Sequence, residues 1–166
     1  EVHFFDDESQ SWDTPDYTRL HSSFADSSEQ RVRGEATPIY TYWPQSLERL
    51  RTYNPSAKLI MILRNPVLRA FSHWRMEMSR GLEELSFSEA IRPAGRARYR
   101  SALAGVHRVF SYVERGFYAP QVERLLMLFP REQVLFLRTD ALWSQPEATL
   151  RAIYSFLELP PIQPAV

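Results

Sequence analysis

The sequence of 166 residues contains no cysteine. This absence excludes a disulfide framework and a cysteine-ligated metal site. The four histidines, His3, His21, His73 and His107, lie far apart in the sequence and lack the spacing of metal ligands. We therefore expect a protein that works without a metal ion.

Long hydrophobic runs and an excess of charge of one sign are missing as well. The longest apolar stretch, KLIMIL at residues 58–63, is far shorter than the roughly 18 residues that a membrane span needs. The 20 basic and 20 acidic residues cancel, which removes the overall electrostatic case for a nucleic-acid or membrane partner. We expect no nucleic-acid partner and no membrane span in this chain, and any anion site must be local.

Lysine and clustered glycine are scarce. Lys58 is the only lysine, and the five glycines are never clustered. A glycine-rich loop with a lysine that cradles phosphate is therefore missing from these residues. All the other basic residues are arginine, a bias that suits bidentate phosphate or sulfate contacts but is equally explained by genomic base composition.

The segments that are present favour an α/β fold. Leu59–Leu63 is an unbroken apolar run of strand length, and residues 133–138 are predicted to form a second buried strand. Such runs are typical of strands that are buried on both faces in a parallel sheet covered by helices. Helical spacing also predicts short helices near residues 15–24 and 44–55. We expect a single domain over residues 1–166, with a three-layer parallel sheet and flanking helices.

Two further short strands are predicted, at EVHFF (residues 1–5) and at GEATPIY (residues 34–40). In the first strand Glu1 and His3 would face a cleft, while Val2 and the first phenylalanine face the core. We also expect the neighbouring phenylalanine rings to frame the Glu1 carboxylate and to desolvate it.

The helix after the first buried strand carries an apolar stripe at helical spacing. This stripe is predicted to be the buried face of the helix. Its members are Val67, Phe71, Trp74 and Met78. His73 lies on the same helix. We interpret it as a side chain that packs against its neighbours or extends its ring end into solvent, rather than as a catalytic one.

Arg64 and Ser72 mark a possible anion site. Arg64 stands where the first buried strand ends, and Ser72 follows on the next helix. In open parallel sheets ligands bind at the carboxyl ends of the strands. An arginine, a hydroxyl group and the oriented amides of a helix N-terminus together suit a phosphate group. The pattern equally allows Arg64 to pair with a carboxylate and Ser72 merely to pack.

Four stretches of the chain are distinctive in their order and spacing: EVHFF, GEATPIY, KLIMILRNPVLRAFSHW and YVERGFYAPQVERLLMLFPREQVLFL. Together they resemble the sulfotransferase domain of the heparan sulfate and bacterial sulfotransferase superfamily, over nearly the whole chain. The resemblance implies a P-loop-NTPase-like fold. It also implies transfer of a sulfuryl group from 3′-phosphoadenosine 5′-phosphosulfate (PAPS) to a hydroxyl or amine of a glycan or small natural product.

The resemblance assigns roles to particular residues. LRNPVLRAFSHW is similar to the family's site for the 3′-phosphate of PAPS, which falls on Arg64 and Ser72. EVHFF is similar to the KE.HFF motif of glycan sulfotransferases, whose glutamate is taken as the general base. That glutamate is Glu1, with His3 as the alternative base and Asp6 as a neighbour that lines the acceptor cleft.

Four weaker candidates stand beside these residues, and two of them belong to a segment with similar letters in the bacterial branch. In YVERGFY, residues 112–118, Arg115 could contact the cofactor and Tyr118 the acceptor. The alternative is that Gly116 allows a turn and the aromatic side chains pack. Thr37 and Tyr40 are further candidates for the acceptor cleft, although a Thr-Pro at a strand end is more often only a bend.

The basic cluster between residues 92 and 100 has two interpretations. It could receive an anionic acceptor, but the proline and glycine inside it favour a solvated loop. Its members are Arg92, Arg96, Arg98 and Arg100.

The sequence also departs from the family pattern. The family's 5′-phosphosulfate loop, with its essential lysine, should lie upstream of EVHFF, and a C-terminal loop should lie beyond Val166. The glycan branch has a lysine shortly before its TP, where this chain has Ala36. We expect the chain to be incomplete at both ends and close to inactive by itself.

Other functions and locations remain open at this stage. A non-catalytic module could keep the 3′-phosphate site and lose the sulfuryl site, whereas a nucleoside kinase-like enzyme would need a Walker-type loop that is missing here. The arginine bias and the absence of cysteine favour a bacterial cytoplasm, with the Golgi lumen or a membrane-anchored parent as alternatives. No pattern in the sequence identifies the acceptor or the oligomeric state.

Overall fold

The computed structural model of this protein describes residues 1–24, 32–101 and 106–160. The chain forms two compact units, Glu1–Pro55 and Ser56–Val166. Each unit contains a cluster of buried apolar residues.

The first unit is built around aromatic side chains. Its described helices are α1 (Thr18–His21), a 3-10 helix (Pro38–Thr41) and α2 (Ser46–Tyr53). The predictions of two short helices near these positions are confirmed. The buried cluster of this unit contains Phe4, Phe5, Leu20, Ile39 and Tyr40.

The two strands predicted in the first unit are absent from its described residues, so this prediction is wrong. Residues 1–4 have no regular secondary structure, and His3 has a left-handed φ of 53°. Phe4 and Phe5 are 0% and 2% exposed, so adjacent rather than alternate side chains enter the core. GEATPIY ends in the 3-10 helix because Pro38 has a helical φ and offers no N–H to a strand partner.

The second unit contains a parallel pair of strands and most of the helices. Strand β1 (Leu59–Leu63) pairs with β2 (Val134–Arg138), and Leu59 lies opposite Val134. Parallel pairing requires a long crossover, which here runs through helices. The predicted α/β class with a parallel sheet is therefore confirmed. The α-helices of this unit are α3 (Pro66–Ser79), α4 (Phe87–Ala90), α5 (Pro93–Arg96), α6 (Tyr118–Leu128), α7 (Thr139–Ser144) and α8 (Pro146–Phe156).

Local sequence signals set the starts of three of these helices. Asn65 caps α3, because its side-chain oxygen accepts hydrogen bonds from two backbone amides of the first turn. Ser86 and Glu89 form a capping box at α4, since they stand three positions apart at the helix start. Pro146 stands at the first position of α8, where a missing N–H costs nothing.

The burial of β1 and α3 differs from the prediction. Met61 is buried, but Ile62 is 49% exposed in the described part of the chain, so β1 is not covered on both faces there. The buried face of α3 carries Ala70, His73 and Glu77 instead of the apolar stripe. The predicted stripe member Val67 is 65% exposed.

The side chain of Tyr112 explains which face of α3 is buried. Its ring is 1% exposed and belongs to a buried cluster with Ala70 and Ala90. The small Ala70 side chain lets this ring approach the helix, and the His73 ring packs edge to face on it at 4.9 Å between centroids. Packing therefore overrides the apolar pattern of α3.

Within residues 1–24, 32–101 and 106–160, no helix is both long and apolar enough to cross a membrane. No group of three or more His, Asp or Glu side chains within the same ranges is arranged to hold a metal ion.

Candidate functional site

The amino-terminal loop brings Glu1, His3 and Asp6 together. His3 Nε2 lies 2.9 Å from Glu1 Oε2, and His3 Nδ1 lies 3.0 Å from Asp6 Oδ2. The Asp6 side chain is 0% exposed, whereas those of His3 and Glu1 are 43% and 51% exposed. The three side chains therefore form a continuous chain of polar groups from the core to the surface, which we name the Glu1–His3–Asp6 chain.

The chemistry of an imidazole ring between two carboxyl groups is restrictive. A neutral imidazole has one N–H and can donate to only one of them, whereas an imidazolium donates to both. Because both ring nitrogens of His3 are engaged, Glu1 is the outer end of the chain and the group that a ligand in solution would meet first.

Phe4 and Phe5 do not frame the Glu1 carboxylate, contrary to the expectation from the sequence. Their rings meet edge to face in the core, with centroids 5.2 Å apart, and Phe5 packs on Tyr40 at 5.5 Å. The Glu1 side chain is half exposed, so it lacks the desolvating surroundings that we expected. The phenylalanine pair instead anchors the loop to the core.

The backbone of the loop is held by side-chain hydroxyl groups. The His3 N–H donates to Thr37 Oγ1 at 3.3 Å. The N–H groups of Phe4 and Phe5 donate to Tyr40 Oη at 3.0 and 3.4 Å. Thr37, predicted to line the acceptor cleft, is 7% exposed and faces this loop.

Glu35 extends this arrangement. The Thr37 hydroxyl donates to Glu35 Oε2 at 2.9 Å. Burial raises the pKa of Tyr40 well above its usual range, so its hydroxyl keeps its proton at neutral pH. Both hydroxyl groups therefore remain neutral and can accept hydrogen bonds from backbone amides.

Arg49 anchors the same loop from helix α2. One nitrogen of its guanidinium donates to the Phe5 carbonyl at 2.9 Å. Its two terminal nitrogens bind the Glu8 carboxylate at 2.9 and 2.8 Å, and its carbon lies 4.2 Å from the Trp12 ring centroid. A bidentate pair of this kind fixes geometry as well as charge.

Asp7 stabilises the turn that follows the Glu1–His3–Asp6 chain. The hydroxyl and the amide of Ser9 donate to Asp7 Oδ1 at 2.6 and 2.8 Å, and Arg19 lies 2.7 Å from Oδ2. These contacts, those of Ser9 first, lower the pKa of Asp7 to about 2. Asp7 is therefore a charged structural residue at all ordinary pH values.

In the second unit, Arg64 and Ser72 are both exposed. Arg64 directly follows β1, and Ser72 lies in the second turn of α3. Among the described residues, neither the Arg64 guanidinium nor the Ser72 hydroxyl has a hydrogen-bond partner. The alternative in which Arg64 pairs with a carboxylate is not seen within those ranges, and both groups are accessible to an anion.

The free amides that were expected to assist at the start of α3 are already bonded. Asn65 Oδ1 accepts hydrogen bonds from Val67 N at 3.0 Å and from Leu68 N at 3.2 Å. Pro66 has no N–H to offer. An anion beside Arg64 would therefore meet the guanidinium and the positive end of the helix dipole rather than open amide donors.

Tyr118 and Gly116 pack against the turn that carries Arg64. The Tyr118 hydroxyl donates to the Arg64 carbonyl at 2.9 Å, so this predicted acceptor contact is engaged with the protein backbone. A Cβ atom at Gly116 would lie 3.0 Å from Pro66 Cβ, which is closer than side chains normally approach. A larger residue there would require the Pro66 ring to give way by a few tenths of an ångström.

Arg115 is turned towards its own segment. Its Nε donates to Ser111 Oγ at 3.3 Å, and a terminal nitrogen donates to the Arg108 carbonyl. To contact a bound nucleotide, the side chain would have to leave these partners.

His73 is a buried and neutral side chain, in line with its interpretation as a packed residue. Burial, followed by the charges of Arg115 and Arg69, lowers its pKa to about 3. It lies 3.5 Å from the carboxyl group of Glu77, whose pKa is raised by burial. The pair belongs to the buried face of α3.

Two arginines of the basic cluster pair with buried carboxylates, so the prediction of a solvated loop is wrong for them. Arg96 Nε donates to Glu114 Oε1 at 2.8 Å, and Arg98 binds both oxygens of Glu83 at 2.9 and 2.8 Å. Tyr112 also donates to Glu83, at 2.9 Å. Burial opposes ionisation of Glu83, but the hydrogen bonds, led by those of Arg98, lower its pKa to about 2.

The sequence comparisons agree with the resemblance of the motifs. The profile of the sulfotransferase family matches residues 3–164. The chain belongs to the sulfotransferase family. This match includes His3, Asp6, Arg64 and Ser72, and Glu1 stands two positions before its start.

Curated relatives of this sulfotransferase chain include heparan sulfate enzymes. The chain is 31% identical over 162 residues to heparan sulfate glucosamine 3-O-sulfotransferase 6 of Mus musculus. The alignment covers 96% of this chain and 43% of the mouse protein. It is 28% identical over 161 residues to heparan sulfate glucosamine 3-O-sulfotransferase 5 of Homo sapiens. That alignment covers 97% of this chain and 45% of the human protein. The chain thus spans less than half the length of these two relatives.

A solved structure confirms the fold of the family. The sulfotransferase from Alicyclobacillus acidocaldarius superimposes with a TM-score of 0.72 at 28% identity, covering 98% of this chain and 70% of that one. The α/β sulfotransferase fold expected from the motifs is therefore confirmed.

Sequence reasoning missed Glu35 and Arg49. Glu35 acts through the hydroxyl of Thr37, and nothing in their spacing distinguishes such a pair from two unrelated polar residues. Arg49 lies in a helix with an ordinary polar face, and its carboxylate partner is 41 positions away. Only the folded chain reveals either contact.

Proposed function

We propose that this chain is part of a sulfotransferase that uses PAPS as donor and a glycan or small natural product as acceptor, with residues 1–166 as one sulfotransferase domain. The main support is the Glu1–His3–Asp6 chain, which combines a half-exposed carboxylate with a buried hydrogen-bond network behind it. The names of the mouse and human relatives refer to the 3-O position of heparan sulfate glucosamine, which favours a glycan hydroxyl as acceptor.

In this proposal Glu1 is the general base. Its carboxylate accepts the proton of the acceptor hydroxyl, which makes the oxygen a stronger nucleophile. His3 is a positioning residue, since its Nε2 is directed at Glu1 and its Nδ1 at Asp6. Asp6, predicted as an acceptor contact, is fully buried and orients the imidazole ring instead.

Arg64 and Ser72 are the proposed ligands of the 3′-phosphate of PAPS. Both side chains are exposed, and neither has a hydrogen-bond partner within the described ranges. The guanidinium offers a planar fork of donors and the hydroxyl offers one more, a combination that fits a phosphate group. Arg115 is a further candidate ligand, while Tyr118 supports the turn.

The bound donor would supply the sulfuryl group, whose bond to the 5′-phosphate breaks as a bond to the acceptor oxygen forms. No residue of this chain is assigned to the sulfuryl oxygens. A bacterial cytoplasm is the proposed location, supported by the absence of cysteine and by the bacterial source of the structural neighbour.

The 3′-phosphate site can be tested by calorimetry with adenosine 3′,5′-bisphosphate on the protein that contains this chain. We expect Arg64→Ala to weaken binding about 10- to 100-fold, because a hydrogen bond to a charged group contributes about 1.5–3 kcal/mol. Arg151→Ala is the matched control, since this arginine of α8 is 75% exposed. Equal affinities of the two variants would overturn the assignment.

Turnover separates the enzyme from a binding module. The assay measures formation of adenosine 3′,5′-bisphosphate from PAPS in the presence of hydroxyl and amine acceptors. Nucleotide binding that depends on Arg64, without turnover on any acceptor, would favour the non-catalytic module derived from the same fold.

A further inference from the structure

We infer that Thr37 and Tyr40, together with Glu35, form a hydroxyl clamp that positions the catalytic loop. This inference rests on the proposed function, because the clamp matters for turnover only if Glu1 and His3 act in the reaction. It changes the role of Thr37 from an acceptor contact to a positioning residue, and it adds Glu35 to the residues that support catalysis.

The first observation is the pattern of backbone hydrogen bonds in the loop. The consecutive amides of His3, Phe4 and Phe5 donate to two side-chain hydroxyls, at 3.3, 3.0 and 3.4 Å. Buried amides need partners, and a neighbouring strand normally supplies them. The loop instead depends on Thr37 and Tyr40, which are 7% and 8% exposed.

The second observation is the backbone conformation of His3. Its φ of 53° lies in the left-handed region, which a residue with a side chain adopts only when its surroundings hold it there. The Thr37 hydroxyl binds the amide of this same residue. That contact therefore fixes the backbone from which the ring reaches Glu1 and Asp6.

The third observation is the direction of the hydrogen bonds. A threonine hydroxyl has one proton and two lone pairs. Thr37 gives its proton to Glu35 Oε2 at 2.9 Å, so a lone pair remains for the His3 amide. Glu35 thus sets the polarity of the clamp. Tyr40 accepts two amides at once, and its buried hydroxyl stays protonated.

The clamp predicts that a threonine hydroxyl controls turnover without touching the donor. In the full-length protein, Thr37→Val keeps the shape of the side chain and removes the acceptor. We expect kcat to fall about 10- to 100-fold, because a displacement of roughly 1 Å at a catalytic group can cost about 10² in rate. The KM for PAPS should stay within about twofold, since Arg64 and Ser72 are unchanged.

Two further substitutions separate the clamp from a general effect on folding. Thr37→Ser restores the hydroxyl and should return kcat to within about threefold of the wild type. Thr52→Val is the matched control, because among the described residues its exposed hydroxyl binds only the Glu48 carbonyl of its own helix. Glu35→Ala should lower kcat by about threefold, since the Thr37 hydroxyl remains but loses its orientation.

Amide hydrogen exchange gives a readout that does not depend on activity. The His3 amide should lose protection in Thr37→Val and keep it in Thr37→Ser. If Thr37→Val does not fold, the Thr37→Ser and Glu35→Ala measurements still decide the matter.

Each result has a distinct meaning. Normal kcat in Thr37→Val, or a Thr37→Ser variant as slow as Thr37→Val, would overturn the clamp. If Glu1→Gln is impaired while Thr37→Val is not, the clamp fails and the proposed function stands. If Glu1→Gln is fully active, the proposed base fails, and His3 protection alone tests the clamp.

Discussion

The amino-terminal loop and the turn around Arg64 carry the two candidate sites, and they are built in opposite ways. The loop has no regular secondary structure, and the His3 amide binds a hydroxyl 34 positions away. The turn joins a strand to a helix, and Asn65 caps that helix within three residues. One site depends on distant side chains, whereas the other depends on neighbours in the sequence.

The difference fits the chemistry proposed for each region. A general base must be oriented towards a single proton, so Glu1 is backed by His3 and by a carboxyl group that is 0% exposed. An anion site needs accessible positive charge more than fixed orientation, and Arg64 is exposed at the end of a strand. Orientation therefore requires long-range contacts, while accessibility does not.

The largest predicted effect concerns the amino-terminal loop and tests whether Glu1 is the general base. Glu1→Gln keeps the size of the side chain and removes its basicity, so we expect kcat to fall about 10²- to 10⁴-fold. Affinity for adenosine 3′,5′-bisphosphate should be unchanged in calorimetry. Asp13→Asn, an exposed position of the first unit, is the control. Unchanged turnover of Glu1→Gln would move the base to His3.

The second prediction tests whether the framework of the second unit also depends on a long-range contact. Glu83→Gln removes the charge that Arg98 and Tyr112 bind, and we expect a loss of about 3–5 kcal/mol in the free energy of unfolding. Denaturant titration measures it, with the exposed Glu84→Gln as control. A difference below about 1 kcal/mol between the two variants would contradict this role.

The same ion pair predicts a direction for acid sensitivity. The pKa of Glu83 is lowered from 4.5 to about 2, so its stabilising contribution is complete above pH 4.5 and is lost as the pH falls towards 2. Glu83→Gln should therefore lose less stability than the wild type over this interval. Equal acid sensitivity of both proteins would argue against the ion pair.

The smallest predicted effect concerns the turn around Arg64 and tests whether the Asn65 cap belongs to the anion site. Asn65→Ala removes the cap of α3 and should cost about 1 kcal/mol in the free energy of unfolding. Because Arg64 and its accessibility remain, nucleotide affinity should change by less than about threefold. Thermal unfolding and calorimetry measure the two quantities. A tenfold loss of affinity would show that the cap is part of the anion site.

Part of the fold could be predicted because its signals are local or periodic. The run Leu59–Leu63 forms a strand as predicted, and the capping box at Ser86 and the proline that opens α8 are set by residues of the helix start itself. The apolar stripe of α3 was misread, since the ring of Tyr112 and the small Ala70 decide which face is buried. Periodicity shows that a helix is amphipathic, but packing chooses the face.

The candidate site shows the same division. Glu1, His3 and Asp6 lie within six positions of one another, so the sequence by itself could propose them as site residues and indicate the family, and of these the family is confirmed. The tertiary structure alone decided that Asp6 is buried behind His3, that Thr37 faces the loop, and that Arg98 pairs with Glu83. The physical reason is that hydrogen bonds and ion pairs between distant residues follow no sequence period. They exist only once the chain has brought their partners together.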